Sequence, residues 1–345
     1  MYVDPPGLPV HLVEEVLARY DLRLDGPPAP AGGTAAPKVT FRARRRTGRY
    51  LLRRRRAEFC PEPVVRFDHS VIRRAASAGL PVVEPLKART GTTWVIRDEA
   101  TYEIFPFVEG LTILDPRSLD QLADAGRQLG RFHRAMEGFV PDGQKYWPRE
   151  FHMGANRNTL VAFLETRPSR GPLRNVAERL LTAVDRVIAV LPDDEVGALP
   201  HGIIHGDYTW ANVLYRGPHV GGIFDFDWTD RHPRLHDLAR GLIWFAGQRT
   251  GPLDPDNIWH LVQGWRADPR RTEVFLAGYS EQIDLTEAER RLLPSMIAET
   301  WFSCRIRAMR KVPDDQKLHI LTGDLALTLD FLDRADWPWG MGTSI

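Results

Sequence analysis

His205-Gly206-Asp207-Tyr208-Thr209-Trp210-Ala211-Asn212 and the later run Ile223-Phe224-Asp225-Phe226-Asp227 hold the residues best equipped for chemistry. Asp207 is followed five positions on by Asn212 and 18 positions on by Asp225, each beside a short apolar run. A carboxylate can orient and deprotonate an attacking hydroxyl, while an Asn and a second Asp hold Mg²⁺ against nucleotide phosphates; phosphoryl transfer needs that set. Mg²⁺ is a hard cation that prefers oxygen ligands, so Asn212 and Asp225 are its expected holders. Asp227 fits either a place on the metal side of the site or a cap on the next loop.

An Asp-x4-Asn pair alone would read as a loop-capping Asp, and the flanks set this one apart. Leu199 to Ile204 leads into His205 as a buried strand ending in a catalytic loop. Val213-Leu214-Tyr215 turns through Arg216-Gly217-Pro218 into Val220 to Phe224, which predicts a hairpin carrying Asp225 on its second arm. Upstream, Leu8, Leu12, Val13, Val16, Leu17 and Tyr20 keep helical spacing, and Gly26 to Pro37 is a loop. Strands are expected from Val39 and from Tyr50, over 93–96 and over 101–105, with a helix over 64–78 that Gly79 and Pro81 end. Beyond Pro106-Phe107-Val108-Glu109-Gly110, expected as a hinge, long helices are predicted around 119–136 and 176–188. Others are predicted near 235–247, 257–265, 271–281, 285–309 and 315–334.

The pattern His-x-Asp-x4-Asn followed by a strand bearing Asp is similar to the catalytic and metal core of kinases, with Gly206 in place of the usual Arg. As His205-Gly206-Asp207 with Phe224-Asp225-Phe226-Asp227-Trp228, and with Asp237-Leu238-Ala239 downstream, it resembles the aminoglycoside phosphotransferase and choline/homoserine kinase family. Phe275-Leu276-Ala277-Gly278-Tyr279 and the run from Leu285 to Arg290 are most similar to type II homoserine kinases. The resemblance implies an α+β, bilobal protein-kinase-like fold: a small β-rich nucleotide lobe over 1–105, a hinge over 106–114 and a larger, mainly helical catalytic lobe over 115–345. It implies ATP as co-substrate, Mg²⁺, and a hydroxyl acceptor.

By the same resemblance Asp237 braces the catalytic loop and His205 is structural. The family's nucleotide-lobe Lys falls on Arg53, a real departure, because a guanidinium is a planar fork and an ammonium a compact charge. Leu51 shares its strand face and would cover adenine. Asp68, on the apolar stripe of the helix, takes the acidic position, so an Arg53–Asp68 pair is expected. Gly32, Gly33 and Thr34 stand where a small-residue loop covers phosphates, and Phe105 and Phe107 lie at the adenine hinge. Trp210, Trp228 and Trp301 are candidate walls of the acceptor pocket. Arg305, in Thr300-Trp301-Phe302-Ser303-Cys304-Arg305, occupies the position of an Arg that faces acceptor, and Arg favours planar carboxylates.

Bulk properties narrow the partners. A formal net charge of +1 over 345 residues implies no global polyelectrolyte partner, and two Cys give no disulfide framework. No run of 18 apolar residues occurs, so a soluble cytoplasmic protein is expected, with no membrane partner. Nine Arg and no acid lie between Arg42 and Arg56. That basic hairpin over 42–56 is expected to be a solvated edge, against an alternative of peptide binding. It carries few aromatics to stack bases, which argues against nucleic acid. The leading reading is a kinase for a homoserine-like amino alcohol or hydroxy acid, or for an antibiotic or other secondary metabolite. The alternatives are a kinase acting on Ser/Thr of a small peptide and a non-catalytic nucleotide-binding pseudokinase.

Overall fold

Short β-branched and aromatic runs broken by turn residues build an antiparallel sheet in the first third of the chain. The computed structural model describes residues 8–31, 37–145, 153–167, 171–254 and 256–334. Helix α1 (Val10–Ala18) precedes β1 (Ala29–Pro30), β2 (Lys38–Phe41) and β3 (Tyr50–Arg54); α2 (Glu62–Ser77) then leads to β4 (Val95–Arg97) and β5 (Ala100–Pro106). The strand order is β1-β2-β3-β5-β4. Its register sets Arg53 opposite Lys38 on one side and Glu103 on the other. Gly32, Gly33 and Thr34 lie outside the described residues.

Two hydrophobic cores divide the protein. Val13, Val16 and Leu17 of α1 pack with Val39, Phe41, Leu52, Tyr102 and Ile104 of the sheet. Phe67, Val71, Ile72 and Ala75 of α2 instead join the larger core, with Leu129 and Phe132 of α3 (Leu119–Ala135). The larger core therefore begins inside the segment grouped with the nucleotide lobe. An isolated bridge between Val82 and Ile223 adds to that link.

The rest of the chain is mainly helical: α4 (Met153–Glu165), α5 (Pro172–Val190), the short α6 (Asp193–Gly197), α7 (Leu235–Gly241), α8 (Pro269–Ser280), α9 (Glu287–Ala308), α10 (Lys317–Thr322) and α11 (Leu325–Arg334). Between α6 and α7 come two pairs, β6 (His201–Ile204) with β9 (Asp230–Pro233), and β7 (Val213–Arg216) with β8 (His219–Ile223). The 235–247 helix continues past α7 as a π-helical turn over Leu242–Ala246. The segment 257–265 is a 3-10 turn running into a short strand, not the expected helix. The expected 315–334 helix is two helices, separated at Gly323 and at Asp324, whose φ of 49° no helix accommodates. Among the described residues no helix is long and apolar enough to cross a membrane.

Helix α9 starts with a capping box, Thr286 and Glu289 satisfying each other's backbone N–H groups. Glu289 also receives two bonds from Arg234, which fixes α9 against the start of α7. That contact matters because both helices carry residues of the site.

Candidate active site

The segment between β6 and β7 is the candidate catalytic loop, and its backbone is held from below. Asp237 of α7 accepts the N–H groups of His205 and Gly206 at 2.6 and 2.9 Å, and His133 of α3 lies 3.2 Å from the same carboxylate. Burial pushes the Asp237 pKa up, but these bonds and the nearby imidazoles hold it below the ordinary range. His205 is fully buried; its Nε2 donates to the Phe224 carbonyl at 3.0 Å and Nδ1 accepts the Asp207 N–H. Burial lowers its pKa, consistent with that neutral tautomer. Gly206 has φ +75° and a Cβ there would lie 2.0 Å from the Trp228 carbonyl oxygen, so no other residue fits.

Asp207 emerges from this loop with its side chain about 30 % exposed. Asn212 Nδ2 donates to Oδ2 at 2.8 Å and to the Asp207 carbonyl at 2.9 Å, while Arg240 of α7 donates to Oδ1 at 3.1 Å. The carboxylate is thus aimed by two donors and still open to the cleft. With its nitrogen taken, Asn212 has its carbonyl oxygen left for a cation. Asp225 sits at φ 61°, and its buried Oδ1 has no hydrogen-bond partner. Burial and the Asp227 carboxylate raise its pKa, with Arg53 opposing. An orphaned carboxylate oxygen beside a free carboxamide oxygen fits a divalent cation. No cluster of three or more His, Cys, Asp or Glu among the described residues could cage one; Mg²⁺ suits such a partial set, since it keeps waters and phosphate oxygens. Asp227 does not join this pair: its Oδ1 is bonded by Arg53 at 2.8 Å and Arg55 at 3.1 Å.

The expected Arg53–Asp68 pair is not formed. Arg53 lies in β3 and Arg55 just past its end, and it is Arg55, fully buried, that bonds Asp68. Arg53 lies closer to the cleft, donating to Glu103 at 2.6 Å and standing 3.6 Å from Asp225 Oδ1. Glu103, unexposed, is the hub, receiving Arg53, Arg55 at 2.6 Å and His69 at 2.7 Å. Burial alone would raise its pKa; the two guanidiniums and His69 drive it well below the usual carboxylate value. Sequence reading passed over Glu103, although a charge between Tyr102 and Ile104 in a buried strand demands a partner. Two of the nine arginines of the basic hairpin are therefore interior, and Arg49 pairs with Glu109. Only Arg42, Arg44, Arg45, Arg46 and Arg54 are exposed there.

Lys145 was also missed. It approaches from the catalytic lobe with an unexposed side chain, bonding Asp68 at 2.6 Å and the Asp227 carbonyl at 2.5 Å. Burial pulls its pKa below that of ordinary lysine, with Asp68 opposing. Asp142 N–H to Ser70 at 3.0 Å and Gln144 N–H to the Pro63 carbonyl at 3.1 Å dock the preceding residues on α2. No periodicity or motif marks a lysine in such a loop.

On the adenine side, Leu51 is half-buried opposite Phe105, and the Arg53 guanidinium lies 5.5 Å from the Phe105 ring centre. The Phe107 N–H is taken by the Arg49 carbonyl at 2.9 Å, so that expected hinge donor is occupied. Its ring carries the Arg49 guanidinium at 4.4 Å.

Asp207, Asn212 and Asp225 open into a cleft of about 450 Å³ whose walls include Trp210, Trp228 and Trp244. Arg305 and Trp301 are not on it. Arg305 is unexposed, and donates to the carbonyls of Val262 at 2.7 Å, Leu321 at 3.2 Å and Gly323. Trp301 is buried beneath it, 4.5 Å from its guanidinium. The reason is helical phase: Cys304, Arg307, Ala308 and Lys311 line the cleft, and Arg305 faces α10 instead. Arg305→Ala is therefore expected to lower stability by roughly 2–4 kcal/mol, because buried carbonyls lose a charged donor. Thermal melting checks this, and a normal melt with a selective rise in acceptor KM would contradict it.

Behind the catalytic loop, His236 Nδ1 and Glu299 Oε2 are 3.9 Å apart. Burial pushes Glu299 up to about 8 and pulls His236 down to about 3, so both are neutral at pH 7. The folded Glu299 keeps a proton that the unfolded chain releases above its ordinary value of 4.5. Stability is lost as pH rises from there to about 8 and not below. Glu299→Gln should raise Tm near pH 7.5 by a few degrees and leave it unchanged near pH 4. An equal shift at both pH values would contradict the assignment.

A two-lobed α+β kinase-like architecture with Asp207, Asn212 and Asp225 around one cleft defines a phosphotransferase. The chain belongs to the phosphotransferase enzyme family, whose model matches residues 29–275. It is 28% identical over 247 residues to a homoserine kinase of Pseudomonas aeruginosa, covering 70% of this chain and 69% of that one. In fold it is similar to an amicoumacin kinase, at TM-score 0.62 and 15% identity over 91% of this chain and 94% of the other. A microcompartment-associated aminopropanol kinase matches at TM-score 0.61 and 18% identity, over 94% of this chain and 98% of that structure.

Proposed function

We propose that the protein transfers the γ-phosphoryl group of ATP, with Mg²⁺, to a hydroxyl of a small molecule. The observation that carries this is the Asp207 carboxylate held by Asn212 and Arg240 beside the orphaned Oδ1 of Asp225. Asp207 is the group that orients the acceptor hydroxyl and takes its proton. Asn212 and Asp225 would hold Mg²⁺, which when bound offsets the charge gathering on the transferred phosphoryl group. Arg53 would reach the phosphates from the nucleotide side. Two arginines then share the work of the family's single Lys: Arg55 anchors Asp68 and Arg53 serves the nucleotide. The similarity to a homoserine kinase supports a homoserine-like amino alcohol or hydroxy acid as acceptor.

Nucleotide consumption across a panel of amino alcohols, hydroxy acids, aminoglycosides and hydroxyl-bearing peptides tests this. Turnover is expected only with a small hydroxyl compound and a divalent cation. Turnover with peptides alone would move the reading to the exposed arginines of the basic hairpin.

A further inference from the structure

Glu299 of α9 is a buried acid that phosphoryl transfer does not use. Among the described residues its carboxyl has no hydrogen-bond partner, and His236 Nδ1, at 3.9 Å, is out of bonding range. Burial, with the charge of Asp193 adding to it, keeps this carboxyl protonated up to about 8. An unpartnered buried acid costs stability, and a ligand that bonds it recovers that cost.

The carboxyl faces a cavity of about 440 Å³ that shares no lining residue with the Asp207 cleft. Met153 of α4, Val187 and Ile188 of α5, Leu191 just past it and Val196 of α6 give the cavity apolar walls. Asp193, His201 and His232 add polar lining, and no Lys or Arg is among the described residues around it. Between cavity and cleft lies a void of about 10 Å³, bordered by Gly206, Asp237 and Arg240 as well as by His236 and Glu299. That is room for one water, so an organic molecule in the rear cavity is shut off from Asp207. Helix α7 borders both spaces: His236 lines the cavity, while Asp237 and Arg240 hold the loop of Asp207.

We propose that this rear cavity is a second small-molecule site, distinct from the acceptor cleft, for a primary amine on an apolar body whose ammonium group is held by Glu299. An ammonium turns the unpartnered acid into a charge-assisted pair, whereas an alcohol gains only a neutral bond. The carboxyl has already lost its water, so the new desolvation cost falls on the ammonium alone. Exposed Asp193 and His201 keep the mouth wet and limit that cost. The protons balance: the ammonium keeps its three, and Glu299 releases its one to solvent. Asp193, His201, His232 and His236 are the other titratable groups facing the cavity, and His236 stays neutral because burial pulls it down to about 3.

Calorimetry with hexylamine, hexanol and hexanoate, without nucleotide, tests it. Near pH 8.5 hexylamine should bind about 10–100-fold more tightly than hexanol, and hexanoate no better than hexanol. Near pH 6.5 Glu299 holds its proton against the amine, so hexylamine should weaken by about tenfold or more while hexanol is unchanged. Glu299→Gln keeps the side chain's shape and is expected to melt no lower than wild type. It should bring hexylamine down to the affinity of hexanol and remove the pH dependence, whereas Asp207→Asn should do neither. No saturable binding of hexylamine, equal affinity for amine and alcohol, or amine binding that survives Glu299→Gln would overturn the proposal. Amine binding lost in Asp207→Asn would move the amine to the acceptor cleft and overturn it as well.

Discussion

Asp207→Asn is expected to lose roughly 10²–10⁴-fold in kcat, the usual worth of a positioned general base, while nucleotide binding persists. The isosteric carboxamide can still meet Asn212 and Arg240, which donate to the present oxygens at 2.8 and 3.1 Å. It cannot take the acceptor proton. Because the loop is braced by Asp237 and not by the Asp207 side chain, the melt should stay close to that of the wild type. Equilibrium binding of a non-hydrolysable nucleotide, measured with kcat, separates this from unfolding. Near-normal turnover with a verified acceptor would remove Asp207 from the base role.

Arg55→Ala should cause the largest loss of stability, about 3–5 kcal/mol, typical of breaking a buried pair from one side. The guanidinium is unexposed and serves Glu103, Asp68 and Asp227 at once. Its removal strands at least two carboxylates in the interior. Asp68→Asn should cost less in the Arg55→Ala background than in the wild type, a non-additivity expected of partners in contact. Arg53→Ala should behave differently. Its side chain is 15 % exposed, stands near Asp225, and leaves Arg55 on Glu103. It should raise nucleotide KM and lower kcat with a smaller change in the chemical melt. If the two variants exchange these phenotypes, Arg55 is the phosphate contact and the division of labour is reversed.

The contrast between these arginines shows what was legible in the sequence and what was not. The candidate catalytic loop could be read because its residues are local: Asp207 and Asn212 are close in the chain, and the β7–β8 hairpin brings Asp225 to them. Helices α2, α3 and α5 announced themselves by a one-sided apolar stripe. Helix α4 did not, since its buried residues are Met153, Asn156, Leu160 and Leu164, with a polar one among them. Alternation placed Leu51 and Arg53 on one face, but which arginine reaches Asp68 depends on where α2 lies across the sheet. Arg305 was misassigned for a related reason. Helix α9 is buried on nearly every side from Leu292 to Ala308, so periodicity could not say which face meets the cleft. Lys145 and Glu103 act through contacts 77 and 50 residues away in the chain, beyond any local pattern.

The proposed phosphoryl transfer to a hydroxyl depends on Asp207 together with a divalent cation. Its most direct measurement is mass spectrometry of the acceptor after incubation with ATP, with Mg²⁺ or with chelator, for wild type and Asp207→Asn. A phosphorylated hydroxyl is expected with wild type and Mg²⁺, and at most a trace in the other conditions. Acceptor phosphorylation that survives both chelation and Asp207→Asn would contradict it.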